Sequence, residues 1–167
     1  HISQASNTAL RYIDGRRKGE IKSLTTPWKK FNNISMGGIE WQTITTIAGM
    51  SGSGKTAVLG QLETGLKDLN PDEDFAILSF NFEMLSSRLV ARKLSNKMKI
   101  TTQQLYSASE NFSLNDNYYM NAVNEARKLN DYDIYYVDIP GSVKSLETTV
   151  LKFAQEMKKP VIVMLDH

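Results

Sequence analysis

The sequence contains no cysteine, and its two histidines stand at its first and last positions. The lack of cysteine excludes a disulfide framework and a thiolate metal site, and two histidines at opposite ends offer little from which to build a zinc site. No apolar run approaches the roughly 20 residues of a membrane-spanning helix, and no signal-peptide pattern is visible. These absences predict a cytoplasmic protein with no membrane partner.

A strong excess of charge is also missing, because 20 basic residues stand against 18 acidic ones and leave a net charge of +2. So small an excess does not by itself predict binding to nucleic acid or to an anionic membrane. The 167 residues are enough for one domain with a substantial core. Residues 1–26 are predicted to be a linker segment with a short, mostly exposed helix and a basic turn.

A stretch rich in glycine and serine carries the clearest chemical signal. Residues 49–56 read Gly-Met-Ser-Gly-Ser-Gly-Lys-Thr and fit G-x-x-x-x-G-K-[ST], the Walker A pattern of a phosphate-binding loop. The glycines let backbone N–H groups turn toward a phosphate, and the positive end of the following helix adds to the attraction. The residues predicted to bind the nucleotide are Gly49, Ser51, Gly52, Ser53, Gly54, Lys55 and Thr56.

Two side chains of this loop have distinct predicted roles. Lys55 reaches the β- and γ-phosphates and counts as catalytic, while the Thr56 hydroxyl ligates Mg²⁺. The motif therefore predicts a nucleoside triphosphate with Mg²⁺, but it does not say how the energy of hydrolysis is used.

Apolar strands alternate with amphipathic helices along the chain, which predicts an α/β fold with a mostly parallel sheet and helices on both faces. Strands are predicted at 44–48, 75–82, 134–138 and 161–166. Helices are predicted from the loop to Asn70, over 84–98, over 115–130 and from Ser145 to Met157, with a capping box of Thr101 and Gln104 before a short helix. The basic side chains of the 84–98 helix, Lys93 among them, are expected to face solvent.

Two acidic residues compete for the Mg²⁺-side position at the end of an apolar strand. Asp138 begins a D-x-x-G sequence, which is typical of GTPases, but those proteins also need a downstream Asn-Lys-x-Asp. Here the only Asn-Lys pair stands upstream, at 96–97, and lacks the aspartate. We therefore interpret Asp166 as the metal-side, or Walker B, acid and Asp138 as a turn or strand-end residue.

Glu83 follows the predicted strand 75–82. Ligands of open α/β sheets bind at the carboxyl edge, so this carboxylate is expected on the same side as the phosphate loop. There it would serve as the base that orients and deprotonates the attacking water. The alternative is an acid at a helix start that only favours the helix dipole. A small-molecule kinase is a weaker interpretation, because no Arg-rich lid is evident.

Several segments together resemble the motor domain of DnaB-type replicative helicases, including phage-type members, over residues 27–167. They are 36–40 (Met-Gly-Gly-Ile-Glu), 47–56, 79–84 (Ser-Phe-Asn-Phe-Glu-Met), 135–141 and 163–166. The resemblance implies a RecA-like P-loop NTPase core in which Glu83 is the catalytic base, Lys55 and Thr56 bind ATP and Mg²⁺, and Asp166 holds the water shell of the metal. It also implies a homo-hexamer on single-stranded DNA, with primase and a helicase loader as further partners and the host cytoplasm as the location of a phage member.

The sensor strand, the DNA-binding loops and the arginine finger of that family all lie beyond the Walker B acid. This chain ends one residue after Asp166 and begins without methionine. We therefore expect a longer native polypeptide, a core that is incomplete at the C-terminus, and little ATP hydrolysis by residues 1–167 alone. Two other functions stay open: a recombination-type RecA-like ATPase, and a nucleotide-binding module without turnover.

Overall fold

Strands and helices alternate along the chain in the computed structural model, which describes residues 1–107, 114–139 and 141–166. The helices are α1 Ile2–Lys18, α2 Lys29–Ile34, α3 Lys55–Leu69, α4 Ser86–Met98, α5 Thr102–Tyr106, α6 Asp116–Asn130 and α7 Val143–Met157. The strands are β1 Ala76–Asn81, β2 Ile134–Val137 and β3 Val161–Asp166. In these ranges no helix is both long and apolar enough to cross a membrane.

The three strands form one parallel sheet in the order β2-β1-β3. In the ladders, Ile77 pairs with Ile134 and Asn81 with Asp166, so the strands end at one common edge. Every residue of the central strand β1 is buried, as its nearly continuous apolar sequence predicts. The predicted parallel arrangement of these three strands is confirmed.

Helices cover both faces of the sheet, also as predicted. Tyr136 of β2 reaches Glu63 of α3 through its hydroxyl, and its neighbour Tyr135 packs edge-on against Phe153 of α7 at 4.9 Å between ring centroids. Successive residues of a strand point to opposite faces, so α3 and α7 lie on opposite sides. The main core lies on the α3 side and contains Leu24, Leu62, Leu66, Phe75, Ile77 and Met164.

The prediction of a strand at 44–48 was wrong. These residues have no regular structure and are exposed, with Ile44 at 95% exposure. A β-branched run becomes a strand only when a neighbour pairs with its backbone groups, and none of the strands described above pairs with this one. The phosphate loop is therefore held mainly from its C-terminal side, by α3.

The N-terminal region consists of an exposed helix up to about residue 20 and, after it, a segment that packs on the core. Helix α1 is mostly exposed and ends in a basic turn, with Gly19 in the left-handed conformation at its C-cap. Beyond it, Leu24 is buried in the core and forms an isolated antiparallel bridge with Ile39, and Trp41 packs edge-on against Phe75 at 5.9 Å. The segment before α3 thus closes one side of the core.

Two local predictions need correction. Lys93 does not face solvent with the other basic residues of α4: it is only 6% exposed and forms an ion pair with Glu63. Its charge and the periodicity of α4 placed Lys93 on the polar face. The acid that compensates this charge lies 30 residues earlier on another helix, where the periodicity of α4 cannot reveal it. Helix α7 begins at Val143 rather than at the predicted Ser145, and its cap is Ser142, whose side chain accepts from the Ser145 backbone N–H.

Candidate nucleotide site

The loop before α3 has a backbone that glycine makes possible. Gly52 and Gly54 adopt φ angles of 77° and 95°, in the left-handed region that side chains disfavour. A Cβ on Gly49 would lie 2.5 Å from Ser53 Oγ, so a side chain there would require the Ser53 hydroxyl to move. These three positions let the loop curl tightly onto the first turn of α3.

The N-terminus of α3 carries no negative charge of its own. Gly54 provides no side-chain cap, and the first turn has no acidic residue. The first N–H groups of a helix have no intrahelical acceptor, and the helix dipole makes this end attractive to anions. Together with the glycine conformations, this arrangement fits a bound phosphate chain.

Lys55 folds back over the loop. Its ammonium group donates to the carbonyl oxygens of Gly49 and Met50 at 3.0 and 3.2 Å. These bonds hold the positive charge directly above the loop backbone, where phosphate oxygens would be its stronger partners. Thr56 follows it on the first turn of α3 and is half-buried.

Asp166 ends β3 and is 6% exposed. Its backbone carbonyl accepts from Phe82 N–H at 3.4 Å, which continues the ladder beyond Asn81. Within the described ranges its carboxylate makes no hydrogen bond or ion pair, yet no fully buried side-chain oxygen lacks a partner. The Asp166 oxygens therefore reach solvent, as a group that binds the water shell of Mg²⁺ must.

Glu83 is exposed and lies in the short connection between β1 and α4, two residues past the end of the strand. The far end of this connection is held by Asp138, which follows β2. Its carboxylate accepts from the Ser86 backbone N–H at 3.1 Å and from the Ser86 hydroxyl at 2.7 Å. Asp138 is thus occupied with the N-terminus of α4, which agrees with its interpretation as a strand-end residue.

The direction of α3 puts the phosphate loop at the same edge as these acids. Glu63 of α3 contacts Ser79, whereas Lys67, one turn later, contacts Phe75 at the start of the β1 region. The helix therefore runs antiparallel to β1, and its N-terminus points toward the carboxyl edge of the sheet. Lys55 and Thr56 lie at that edge, where β1 leads to Glu83 and β3 ends at Asp166.

The sequence did not point to four buried polar residues below this edge: Glu63, Ser79, Lys93 and Tyr136. Glu63 follows Leu62 on the buried side of α3, and an acid among buried leucines was the one available signal. Burial, together with the nearby Glu63 carboxylate, raises the pKa of the Tyr136 phenol far above its ordinary value. Tyr136 is therefore a neutral donor at all physiological pH values.

A cavity of about 300 Å³ lies between α3 and α4, beside the loop rather than on it. Its lining includes Thr56, Gln61, Arg92 and Lys97, but not Lys55, Glu83 or Asp166. A phosphate loop binds its ligand on an open surface with backbone groups, so this cavity and the phosphate site are different places.

Comparison with known proteins supports the same fold. The chain superposes on a solved structure described as an ATPase domain with a TM-score of 0.75 and 19% identity, covering 96% of this chain and 56% of that one. It also superposes on a DnaB-like replicative helicase, in a structure that addresses its interactions with primase, with a TM-score of 0.71 and 18% identity. That match covers 96% of this chain and 38% of the other. The chain thus spans less than two thirds of the length of either.

A comparison with curated protein sequences gives no match. A sequence model of the DnaB-like helicase C-terminal domain, in contrast, matches residues 23–167, which is most of the chain. The predicted resemblance and the RecA-like α/β class are both confirmed. The chain belongs to the DnaB-like helicase C-terminal domain family.

Proposed function

We propose that this chain is the motor core of a replicative DNA helicase, which binds ATP with Mg²⁺ and couples its hydrolysis to movement along single-stranded DNA. The observation that supports the proposal most is that α3, which follows the phosphate loop, points its N-terminus toward the carboxyl edge of the parallel sheet, where β3 ends at Asp166 and β1 leads to Glu83. Membership in the DnaB-like family makes ATP the expected nucleotide.

The loop and the first turn of α3 hold the phosphates in this proposal. Backbone N–H groups over 49–54 surround the phosphate oxygens, and the Lys55 ammonium exchanges its two carbonyl partners for the β- and γ-phosphates. A charge-assisted contact to phosphate is stronger than one to a neutral carbonyl, so this exchange favours the bound state.

Thr56 and Asp166 are the proposed partners of the metal. No group of three acidic or imidazole side chains that could hold a metal occurs in the ranges the structure covers. This fits Mg²⁺, which keeps several waters and is bound by few protein groups together with substrate phosphates. When bound, Mg²⁺ neutralises charge on the phosphate oxygens. The Thr56 hydroxyl would be a direct ligand, and the Asp166 carboxylate would accept from the metal-bound waters.

Glu83 is the proposed general base. Its exposed carboxylate orients a water for attack on the γ-phosphorus. As the new P–O bond forms, the bond to the β-phosphate oxygen breaks and Glu83 takes the proton of the water. Asp138 contributes indirectly, because it holds the start of α4 and so limits the movement of the connection that carries Glu83.

The wider assembly follows from the family. We place the protein in the cytoplasm as a homo-hexamer around single-stranded DNA, with a helicase loader and a primase as partners. The comparison structure that addresses interactions between a DnaB-like helicase and primase supports this last partner.

ATP-dependent strand displacement by the full-length protein tests the proposal. The wild type should separate a forked duplex, and Lys55→Met should not, while Lys144→Met serves as a control because Lys144 is exposed on α7. DNA-stimulated hydrolysis without strand displacement would favour a recombination-type ATPase. Nucleotide binding without any hydrolysis would leave only a binding module, and either outcome would overturn the helicase assignment.

A further inference from the structure

The cavity between α3 and α4 is separate from the phosphate loop, and no step of the proposed function uses it. Its volume of about 300 Å³ lies at the lower end of the roughly 300 to 1,000 Å³ that is typical of small-molecule sites. Gly60 of α3 lines it, and an added Cβ there would meet no heavy atom of the described chain within 4 Å apart from its own helix backbone. The cavity therefore has free space at Gly60.

Cations outnumber anions in the lining of this cavity. Arg92, Lys93 and Lys97 of α4 line it, against a single acid, Asp68 of α3, in the part of the chain that the structure describes. Lys93 is held by the buried Glu63, so it is not free to bind a ligand. Arg92, in contrast, is exposed and makes no hydrogen bond or ion pair within the described ranges. The cavity therefore carries an uncompensated positive charge.

Lys97 can supply a second charge at little cost. Its ammonium group lies 3.1 Å from the Asp68 carboxylate, and the two side chains are 38% and 40% exposed. An ion pair so open to water contributes little to stability, because the solvent screens it. Asp68 would keep a partner if Lys97 turned away, since the Tyr132 hydroxyl donates to the same carboxylate. An anion in the cavity can therefore recruit Lys97 as well as Arg92.

The neutral polar side chains of the lining are also donors. They include the amides of Gln61 and Asn96 and the hydroxyl of Thr64. A phosphate monoester places three acceptor oxygens and nearly two negative charges on one group, and the planar fork of an arginine donates to two such oxygens at once. A carboxylate offers only two oxygens and one charge. This set of donors therefore suits a phosphate better than a carboxylate.

We infer that the cavity is a second anion site, which binds a phosphate monoester of about the size of a sugar phosphate. Arg92 and Lys97 bind its phosphate, while Gln61, Thr64 and Asn96 form hydrogen bonds to its polar body. Pro27, Ala57 and Leu89 line the same cavity and provide apolar contact. This inference goes beyond the proposed function, because the site contains none of the three side chains Lys55, Glu83 and Asp166.

Calorimetric titration of the full-length protein with ribose 5-phosphate tests this inference. A non-hydrolysable ATP analogue and Mg²⁺ are present at saturating concentration, so that the phosphate loop is already occupied. The wild type should bind ribose 5-phosphate with a Kd of about 1 mM or below, the affinity that an ordinary ligand efficiency gives a molecule of this size. Ribose, which lacks the phosphate, is the control ligand and should show no binding in the same range.

Two variants remove different features of the site. Arg92→Met removes the uncompensated charge, whereas Gly60→Leu fills the free space and changes no charge. Each should weaken binding of ribose 5-phosphate at least about tenfold, which is the typical loss when a hydrogen-bonded charged group is removed or its site is blocked. The matched control is Arg127→Met, because Arg127 is exposed on α6 and does not line the cavity, and it should bind as the wild type does. Thermal unfolding should show that Gly60→Leu is folded, since leucine is favoured over glycine within a helix.

Several results would overturn the inference. They are a wild type that does not bind ribose 5-phosphate, binding that occurs only when the ATP analogue is left out, and wild-type affinity in Arg92→Met. Wild-type affinity in a folded Gly60→Leu would place the ligand outside the cavity and would overturn it too. If Gly60→Leu does not fold, Arg92→Met against Arg127→Met decides the question.

Discussion

Asp138 and Ser86 are joined by three contacts of 2.7 to 3.1 Å, through which a carboxylate at the end of β2 caps the first turn of α4. This relationship agrees with the sequence-based interpretation of Asp138 as a turn or strand-end residue. The Asp138 carboxylate is bound to the Ser86 N–H and hydroxyl, whereas the Asp166 carboxylate has no such partner among the described residues, which favours Asp166 as the metal-side acid.

Replacing Asp138 by alanine should therefore affect stability rather than nucleotide affinity. Loss of a capping side chain costs about 0.5 to 2 kcal/mol, which urea denaturation would detect. Binding of ATP with Mg²⁺ should stay within a few-fold of the wild type. If Asp138→Ala abolished Mg²⁺-dependent binding while Asp166→Ala did not, the GTPase-like interpretation of the D-x-x-G sequence would be correct.

Lys55→Met should weaken nucleotide binding without harming the fold. Among the described residues its ammonium group bonds only to two exposed loop carbonyls, so its loss leaves no buried group there unpaired. Hydrogen bonds to charged groups contribute about 1.5 to 3 kcal/mol, which corresponds to a loss of affinity of roughly 10- to 100-fold. Calorimetric titration with ATP measures this, and Lys144→Met is the matched control. An unchanged affinity for ATP in Lys55→Met would mean that the loop is not part of the nucleotide site.

The Glu63–Lys93 pair should show the asymmetry of a buried ion pair. Removing one partner leaves an uncompensated charge, so Lys93→Met should cost about 3 to 5 kcal/mol. The double variant Glu63→Leu with Lys93→Leu leaves no lone charge and should recover most of that loss. Urea denaturation of both variants measures the difference. A Lys93→Met protein as stable as the wild type would mean that Lys93 reaches water in solution.

Tyr132 provides a test by pH. Burial and its hydrogen bond to Asp68 raise the pKa of the Tyr132 phenol to about 12, from an ordinary value of 10.0. Because the folded-state pKa is the higher one, the stabilisation from this group is complete below about pH 10 and is lost as the pH rises through 12. Tyrosinate absorbance during an alkaline titration should show a step near pH 12 that disappears in Tyr132→Phe. Tyr106→Phe, which removes an exposed phenol, should keep that step.

Much of the fold could be predicted because its signals are local. Strand β1 is a nearly continuous apolar run, β3 is apolar up to its final Asp166, and Thr101 with Gln104 forms the predicted capping box. The chemistry of the phosphate loop is also local, since eight consecutive residues carry it. The roles of Lys55, Thr56, Glu83 and Asp166 remain predictions, although the structure brings these residues to one edge of the sheet.

Two wrong predictions concern residues whose structure depends on partners far away in the sequence. Residues 44–48 have the composition of a strand, but a strand also needs a neighbouring backbone, and composition says nothing about that. Lys93 reads as a surface residue of a basic helix until Glu63 is brought beneath it from another helix. Periodicity describes one element at a time, so it cannot reveal a charge pair between two elements.

ATP binding and single-turnover hydrolysis by full-length Glu83→Gln test the central claim most directly, with Glu147→Gln on the exposed face of α7 as the control. A general base contributes roughly 10²- to 10⁴-fold to the rate of its reaction. We expect Glu83→Gln to bind ATP with Mg²⁺ within a few-fold of the wild type and to hydrolyse it at least about 100 times more slowly, with Glu147→Gln unaffected. Hydrolysis by Glu83→Gln at the wild-type rate would contradict the claim that this edge of the sheet is the catalytic site of the motor.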